Sequence, residues 1–212
     1  MKTIKIRLLI IAALLCSISA SAYDFEVDGI YYNITSSEDL TVSVTYKGSD
    51  QSSAVYSGNV VIPGSVEYNG ITYSVTSIGY SAFENCSNLA SIAIPNSVTS
   101  IGASIFSGCD NLTSIVVEED NPVYDSRGNC NAIIRTATNK LIRGCQSTII
   151  PNSVTSIGRT AFNGCTRLTS ITIPNGVTSI EDNAFNGCTN LTSITISNSV
   201  TSIEQAAFYN SI

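Results

Sequence analysis

The stretch LTSITIPNGVTSI (residues 168–180) decides the fold, because its phrases return along the chain at a constant interval. The second half, Val-Thr-Ser-Ile, begins at residues 75, 98, 154, 177 and 200. These positions differ by 23 at every step except from 98 to 154, where the difference of 56 corresponds to one regular repeat and one repeat that is ten positions longer. A fixed period of this length predicts a solenoid in which each unit contacts only its neighbours.

Apolar and hydroxyl residues alternate within the first half of the phrase. Ile171 and Ile173 face one side of a strand and Thr172 faces the other, since successive side chains on a strand switch faces. Proline follows the strand at positions 95, 151 and 174 and ends it, because proline has no N–H for the next ladder bond. Each repeat is therefore predicted to contain a short strand with one buried apolar face.

A phenylalanine marks the other half of every regular repeat, at positions 83, 106, 162, 185 and 208. Only glycine or asparagine stands two positions later. These two residues enter the left-handed backbone region at the least cost, so the pattern predicts a short helical turn that ends in a left-handed cap. The five phenylalanines are expected to form a buried ladder.

The phrase LTSITIPNxVTSI with a following AFxGC resembles the BspA-like class of leucine-rich repeats over roughly residues 58–212. The resemblance implies a leucine-rich-repeat solenoid of the α/β type, β-dominated with short helical turns. It also implies a surface or secreted protein of a host-associated bacterium, and some members of the class adhere to extracellular-matrix proteins. The class shares no binding motif, so no binding residue is carried over from it.

Residues 1–22 are typical of a secretory signal peptide. Three basic residues precede an apolar run over residues 8–18, and small residues end at Ala22, after which cleavage is expected. Cleavage removes Cys16. The apolar run is too short to span a bilayer, and no later stretch approaches the ~20 apolar residues that a span requires. The mature protein is therefore expected to be secreted or held at the cell surface.

Charge and composition exclude several functions. The mature chain keeps seven basic and sixteen acidic residues, and this balance disfavours nucleic-acid partners. The chain contains no histidine, which excludes histidine-dependent nucleophiles and histidine-bound zinc. No loop has the acidic spacing of a calcium site. We therefore expect neither an enzyme nor a bound metal or cofactor.

Irregular segments flank the repeats. Residues 23–57 predict an N-terminal β cap with strands at 25–34 and 40–46, and residues 58–212 predict the solenoid. The pair Asn69-Gly70 between alternating apolar runs predicts a β-hairpin. A long variant rung at 118–150 is expected to form short hairpin strands that project from one edge.

The last repeat shows the turn after Phe208 but no following strand. An uncovered rung exposes apolar side chains and unpaired backbone groups. We expect either a truncated product or a last rung that another chain covers, for example by end-to-end self-association.

Six cysteines remain after the signal peptide, and an even number in an exported protein favours disulfides. Four of them share one slot of the repeat and are expected to be stacked, buried thiols, because parallel side chains are awkward to bridge: Cys86, Cys109, Cys165 and Cys188. Cys130 and Cys145 in the variant rung are the pair for which a disulfide would be tested first.

Two sets of residues are candidates for binding. The outward strand positions form a flat, uncharged surface, which is either a binding face or only the solvated side of the strands: Ser91, Ala93, Ser114, Val116, Ser170, Thr172, Ser193 and Thr195. The variant rung holds four of the seven mature basic residues, which form either a positive contact patch or solvated turn charges: Arg127, Arg135, Lys140 and Arg143.

These features predict an exported bacterial surface module that adheres to or recognises a host protein or glycan, such as an extracellular-matrix protein. The alternative is a structural spacer in a surface assembly that has no ligand of its own. Neither function needs a nucleic acid, a cofactor or a membrane span.

Overall fold

Short parallel strands stack repeat on repeat. The computed structural model describes residues 23–47 and 55–211, so the predicted signal peptide and Cys16 lie outside the described residues. In chain order the strands are β1 (Phe25–Val27), β2 (Ile30–Ser36), β3 (Thr41–Thr45), β4 (Gly58–Val61), β5 (Ser65–Tyr68), β6 (Ile71–Ile78), β7 (Leu89–Ile94), β8 (Ser100–Ile101), β9 (Ser114–Val117), β10 (Tyr124–Asp125), β11 (Ala132–Arg135), β12 (Lys140–Gly144), β13 (Ser156–Ile157), β14 (Ser170–Ile173), β15 (Ser179–Ile180), β16 (Ser193–Ile196) and β17 (Ser202–Ile203).

Equivalent residues of successive repeats lie opposite each other. In the first strand series (β4, β7, β9, β14 and β16), Ser91 pairs with Ser114 and Ile171 with Ile194. In the Val-Thr-Ser-Ile strands β13, β15 and β17, Ile157 pairs with Ile180. These pairings are parallel and offset by one full repeat, which confirms the predicted rung and the β-dominated solenoid.

The N-terminal strands join the solenoid through one sheet. β1, β2 and β3 form an antiparallel meander, and β3 pairs in parallel with β6. The predicted hairpin is confirmed, since Asn69 and Gly70 link β5 to β6 with φ of 52° and 76°, as a two-residue turn requires. Whether residues 23–57 form a separate capping domain stays a prediction.

The predicted left-handed caps are also confirmed. Asn85 has a φ of 58°, Gly108 of 73° and Asn210 of 53°, and the two other equivalent glycines are likewise positive. A second left-handed position lies two residues before each phenylalanine, as at Thr160, where φ is 55°. The residue types at that position are mixed, so the sequence carried no signal for it.

The predicted short helical turns are replaced by tight turns. Hydrogen bonds run from the N–H of one residue to the carbonyl three residues earlier, as from Cys86 to Phe83. The helical element within residues 23–47 and 55–211 is one 3₁₀ turn at Arg127–Asn129. The left-handed residue before each phenylalanine is the reason, because it interrupts the run of right-handed dihedrals that a helix needs.

The phenylalanines form two buried stacks. Ring centroids of Phe83 and Phe106 lie 5.9 Å apart, and the later rings follow one another at 4.9 and 5.2 Å (Phe162, Phe185 and Phe208). Gly144 stands between the two stacks, and a Cβ at this glycine would lie only 2.2 Å from Cε1 of Phe162. The predicted ladder is therefore present in each half and interrupted in the variant rung.

The predicted short hairpin strands of the variant rung are present, but they are inserted into the body of the solenoid, so the prediction that they project from one edge is wrong. β10, β11 and β12 form an antiparallel meander, and β12 pairs in parallel with β13. β11 separates two hydrophobic clusters, because Ile133 packs into the N-terminal cluster while Ala132 and Ile134 pack into the C-terminal one. Consecutive apolar residues that are buried on both faces hold this strand inside the fold.

The extra residues of the variant are also distributed differently from the expectation. Cys145 lies in the cysteine row beside Cys165, whose thiol is 3.9 Å from the carbonyl of the adjacent Gly144. Cys109 and Cys145 are 36 positions apart in the sequence, and Cys145 and Cys165 are 20 positions apart. The sequence spacing instead predicts one regular repeat of 23 residues and one long repeat of 33. One rung is thus lengthened, and the next is shortened where the segment 147–150 replaces a full strand.

We expect Phe162→Ala to lower the free energy of unfolding by about 3–5 kcal/mol, because this ring is fully buried and stacks on Phe185. Urea unfolding followed by circular dichroism measures the loss. Phe208→Ala is the matched control, since its ring packs on the same stack but is only partly buried. Equal losses in the two variants would contradict the assignment of stability to the buried stack.

Candidate functional site

The outward strand positions fall on two separate sheets. Ser91 and Ala93 of β7 pair with Ser114 and Val116 of β9. Ser170 and Thr172 of β14 pair with Ser193 and Thr195 of β16. The sheet β4-β7-β9 and the sheet β14-β16 are not joined, because the variant rung lies between them. The predicted single flat face is therefore corrected to two patches.

Two exposed residues on this face were missed. Val61 pairs with Ala93 at the start of the first strand series, and Ile149 lies in the shortened rung. Their side chains are 67% and 75% exposed, and that of Val116 is 47% exposed. The sequence did carry a signal, since Val61 and Ile149 stand two residues before a proline, as Thr172 does. Searching for that spacing would have found both.

The two patches differ in chemistry. The N-terminal sheet presents an aliphatic row of Val61, Ala93 and Val116, beside which the Ser91 hydroxyl donates to Oδ1 of Asn59 at 2.8 Å. The C-terminal sheet presents only hydroxyl side chains at these positions (Ser170, Thr172, Ser193 and Thr195). A shallow depression of about 390 Å³ beside Ile149 and Thr172 is lined by no charged residue.

The predicted basic residues of the variant rung do not form one free positive patch. Arg127 donates to both carboxylate oxygens of Asp125, with Nε–Oδ1 at 2.7 Å and Nη2–Oδ2 at 2.5 Å. Lys140 forms an ion pair with Glu181, with Nζ and Oε2 2.6 Å apart. The Arg135 guanidinium lies 5.2 Å from the ring centre of Tyr124. Local acidic and aromatic partners therefore occupy these three cations.

Arg143 is buried, which removes it from any accessible surface. Its guanidinium donates to the carbonyls of Ile142 and Arg159 through Nη1 and to that of Gly102 through Nη2. Burial lowers the pKa of Arg143 to about 10, so the side chain stays protonated at neutral pH. The guanidinium connects backbone on either side of the variant rung, where the regular strand pairing is interrupted.

The cysteines form a structural row. The thiol of Cys109 donates to the Phe83 carbonyl at 2.9 Å, and the thiol of Cys188 donates to the Phe162 carbonyl at 3.1 Å. Burial raises the pKa of the Cys188 thiol to about 12 and also raises that of the Cys109 thiol. Such thiols stay protonated at neutral pH and are poor nucleophiles. All four cysteines of the slot are free thiols as expected, but only Cys86 and Cys188 are fully buried, whereas Cys109 and Cys165 are partly exposed.

Cys130 and Cys145 are free thiols and do not form the disulfide that was considered for them. The Cys145 thiol lies 3.5 Å from the Asn131 carbonyl, and the Cys130 thiol lies 3.8 Å from the Ala132 carbonyl. Cys145 belongs to the same row as Cys165.

The last rung exposes part of its apolar interior. Ile196 is 37% and Ile203 is 51% exposed, whereas the equivalent Ile173 and Ile180 are almost fully buried. A depression of about 360 Å³ there is lined mainly by apolar residues, including Leu191 and Phe208. Self-association through this end stays a prediction.

The described residues contain neither a metal-binding cluster nor a membrane-spanning helix. In the part of the chain that the structure describes, no group of three or more Asp, Glu or Cys side chains is arranged to hold a metal ion. Across the same described ranges, no helix has the length and apolar character needed to cross a membrane.

Parallel rungs with a buried leucine, isoleucine and phenylalanine interior define a leucine-rich-repeat solenoid. The chain belongs to the family described as the BspA type leucine rich repeat region, which matches in six copies over residues 64–128 and 134–212. This is a repeat family of binding or scaffold type, and the match confirms the resemblance inferred from the sequence.

Several solved structures are similar to this chain. A leucine rich cell surface protein of Faecalibacterium prausnitzii is 24% identical with a TM-score of 0.48, over 87% of this chain and 45% of that one. A leucine-rich repeat protein of Bacteroides ovatus is 25% identical with a TM-score of 0.41, over 86% and 55%. The pneumococcal vaccine antigen PcpA is 16% identical with a TM-score of 0.50, over 89% and 73%.

The chain thus spans about half the length of the first two of these structures. Among curated proteins, none matches this sequence.

We expect Arg143→Met to lower the free energy of unfolding by about 2 kcal/mol, since it keeps the volume but leaves the carbonyls of Gly102 and Arg159 without this donor. Arg143→Lys should not restore the loss, because an ammonium lacks the planar fork that reaches several carbonyls. Chemical denaturation measures both. Arg135→Met, on the partly exposed neighbour, should change stability by no more than about 0.5 kcal/mol.

We expect Cys188→Ser to be tolerated better than Cys188→Ala, because serine keeps a donor for the Phe162 carbonyl. Ser211 fills the equivalent slot in the last rung and donates to the Phe185 carbonyl. The alanine variant should lose about 1–2 kcal/mol from the missing bond and contact. Thermal unfolding of the two variants compares them, and a more stable alanine variant would contradict the role assigned to the thiol.

Proposed function

We propose that the chain is an exported bacterial surface module that recognises a host protein or a glycan through the outward face of its first strand series. The observation that carries the proposal is the uncovered state of this face. Val61, Val116 and Ile149 point outward and are exposed, whereas the residues that follow them in sequence, Ile62, Val117 and Ile150, are buried. Solenoids commonly use such extended faces for binding.

Export is supported by the amino-terminal pattern of basic, apolar and small residues that ends at Ala22. Membership of the BspA type repeat family supports a binding role and not catalysis. The raised pKa values of the cysteine row support the same view, because these thiols do not serve as nucleophiles at neutral pH.

A structural spacer is the second candidate function. Its support is the hydroxyl patch of the C-terminal sheet, where the outward residues are small and include none of the Trp, Tyr or Arg residues that dominate binding energy in interfaces. A spacer would present the same rungs and bind nothing of its own.

We expect Val116→Lys to weaken binding to immobilised extracellular-matrix proteins or to a glycan array about ten-fold or more, because a lysine at this exposed outward position adds bulk and charge. Thr189→Lys is the matched control, since Thr189 is exposed in the turn after Cys188, away from the strands. Surface plasmon resonance gives the affinities. Binding that both variants leave unchanged would refute the face as the site, and saturable binding to no ligand would favour the spacer.

A further inference from the structure

The aliphatic row of Val61, Ala93 and Val116 has the shape of a small recess. The three residues occupy equivalent places in β4, β7 and β9 and lie directly opposite one another. The flanking valines are 67% and 47% exposed, and the alanine between them is shorter. Adjacent strands are roughly 4.8 Å apart, so the two valines stand on the order of 10 Å from each other. One aliphatic side chain of a partner fits between them.

Carboxylates border both ends of this row. Asp28 and Glu67 line the same depression as Val61. At the other end Glu118, Glu119 and Asp120 line a depression of about 370 Å³ that includes Val116.

Side-chain cations do not neutralise these carboxylates. The ion pairs within the described ranges are Arg127–Asp125 and Lys140–Glu181, and neither includes a carboxylate that borders the row. Arg127 lines the depression beside Val116, but its Nε and Nη2 already bind the Asp125 carboxylate, and its Nη1 donates to the side chains of Asn139 and Ser153. The Glu118 carboxylate accepts the backbone N–H of Asn96 at 3.0 Å and binds no side-chain cation among the described residues. The margins of the row are therefore acidic.

We propose that the row of Val61, Ala93 and Val116 binds a polypeptide segment in which aliphatic side chains are flanked by lysine or arginine. This deepens and rests on the proposed function, since it names the partner of the outward face. Aliphatic burial supplies the attraction at the centre, and the two acidic margins orient cationic groups at the ends. A neutral glycan offers no cation to the carboxylates and finds no aromatic platform in this row.

The hydroxyl patch of β14 and β16 is the matched comparison surface on the same molecule. It has the same strand geometry and the same two outward positions per rung, but it presents serine and threonine in place of alanine and valine. The two patches therefore differ only in the chemistry of their side chains. When one patch is substituted, the other serves as an internal control.

The test uses immobilised synthetic peptides of about ten residues and the full mature chain. One peptide alternates lysine with leucine, a second replaces leucine with serine at equal charge, and a third replaces lysine with glutamate. We expect the lysine–leucine peptide to bind at least about ten-fold more tightly than either of the others. Raising the salt from low to about 0.5 M should weaken that binding several-fold, because the margins are exposed.

Two sets of substitutions locate the binding. Val61→Ser with Val116→Ser, and separately Glu67→Gln with Glu119→Gln and Asp120→Asn, should each weaken binding of the lysine–leucine peptide about ten-fold. Thr172→Ser with Thr195→Ser should change it less than two-fold. All these positions are exposed, and circular dichroism verifies that each variant folds.

The outcomes separate this inference from the proposed function. Equal binding of the lysine–serine peptide shows charge attraction alone and overturns the aliphatic recess. Binding to matrix proteins or glycans that is lost on the Thr172→Ser and Thr195→Ser substitutions, and kept when the valines are replaced, overturns the inference while the surface-recognition function stands. If none of the peptides, matrix proteins or glycans binds, both the peptide-binding inference and the surface-recognition function are refuted.

Discussion

Parallel backbone hydrogen bonds between equivalent residues of successive repeats are the constraint on which the rest of the structure depends. In this parallel ladder, equivalent residues of successive repeats lie opposite each other, so the same side-chain contact recurs from repeat to repeat along the solenoid. Isoleucine then packs on isoleucine, and Phe185 lies between Phe162 and Phe208. The cysteine thiols repeat a contact in the same way. Cys109 and Cys188 each donate to the backbone carbonyl of the phenylalanine in the preceding repeat.

The variant rung shows how the solenoid tolerates a break in this periodicity. The variant rung lacks a phenylalanine ring in the ladder, and Gly144 leaves room there for the ring of Phe162. The guanidinium of Arg143 donates to backbone carbonyls of the neighbouring rungs. β11 contributes side chains to both hydrophobic clusters and so keeps the two halves in contact. A buried cation without a carboxylate partner is acceptable here because backbone carbonyls satisfy most of its donors.

The same insertion divides the outward face. On its N-terminal side the strands carry Ala93 and Val116, and the margins carry carboxylates; on its C-terminal side the equivalent places carry Thr172 and Thr195. Repetition alone would have produced one uniform surface. The interruption produces two neighbouring surfaces of different chemistry on one scaffold.

The sequence by itself determined the rung, the buried alternation, the left-handed residues after each phenylalanine and the Asn69-Gly70 hairpin, because each depends on residues close in the chain or on strict periodicity. The sequence also contained the signal that marks Val61 and Ile149 as outward residues, since each stands two positions before a proline. Only the tertiary structure decided that Arg143 is buried, that Arg127 and Lys140 are paired, and that β11 lies inside the fold. Those outcomes depend on contacts such as Lys140 with Glu181, which are distant in sequence and follow no period.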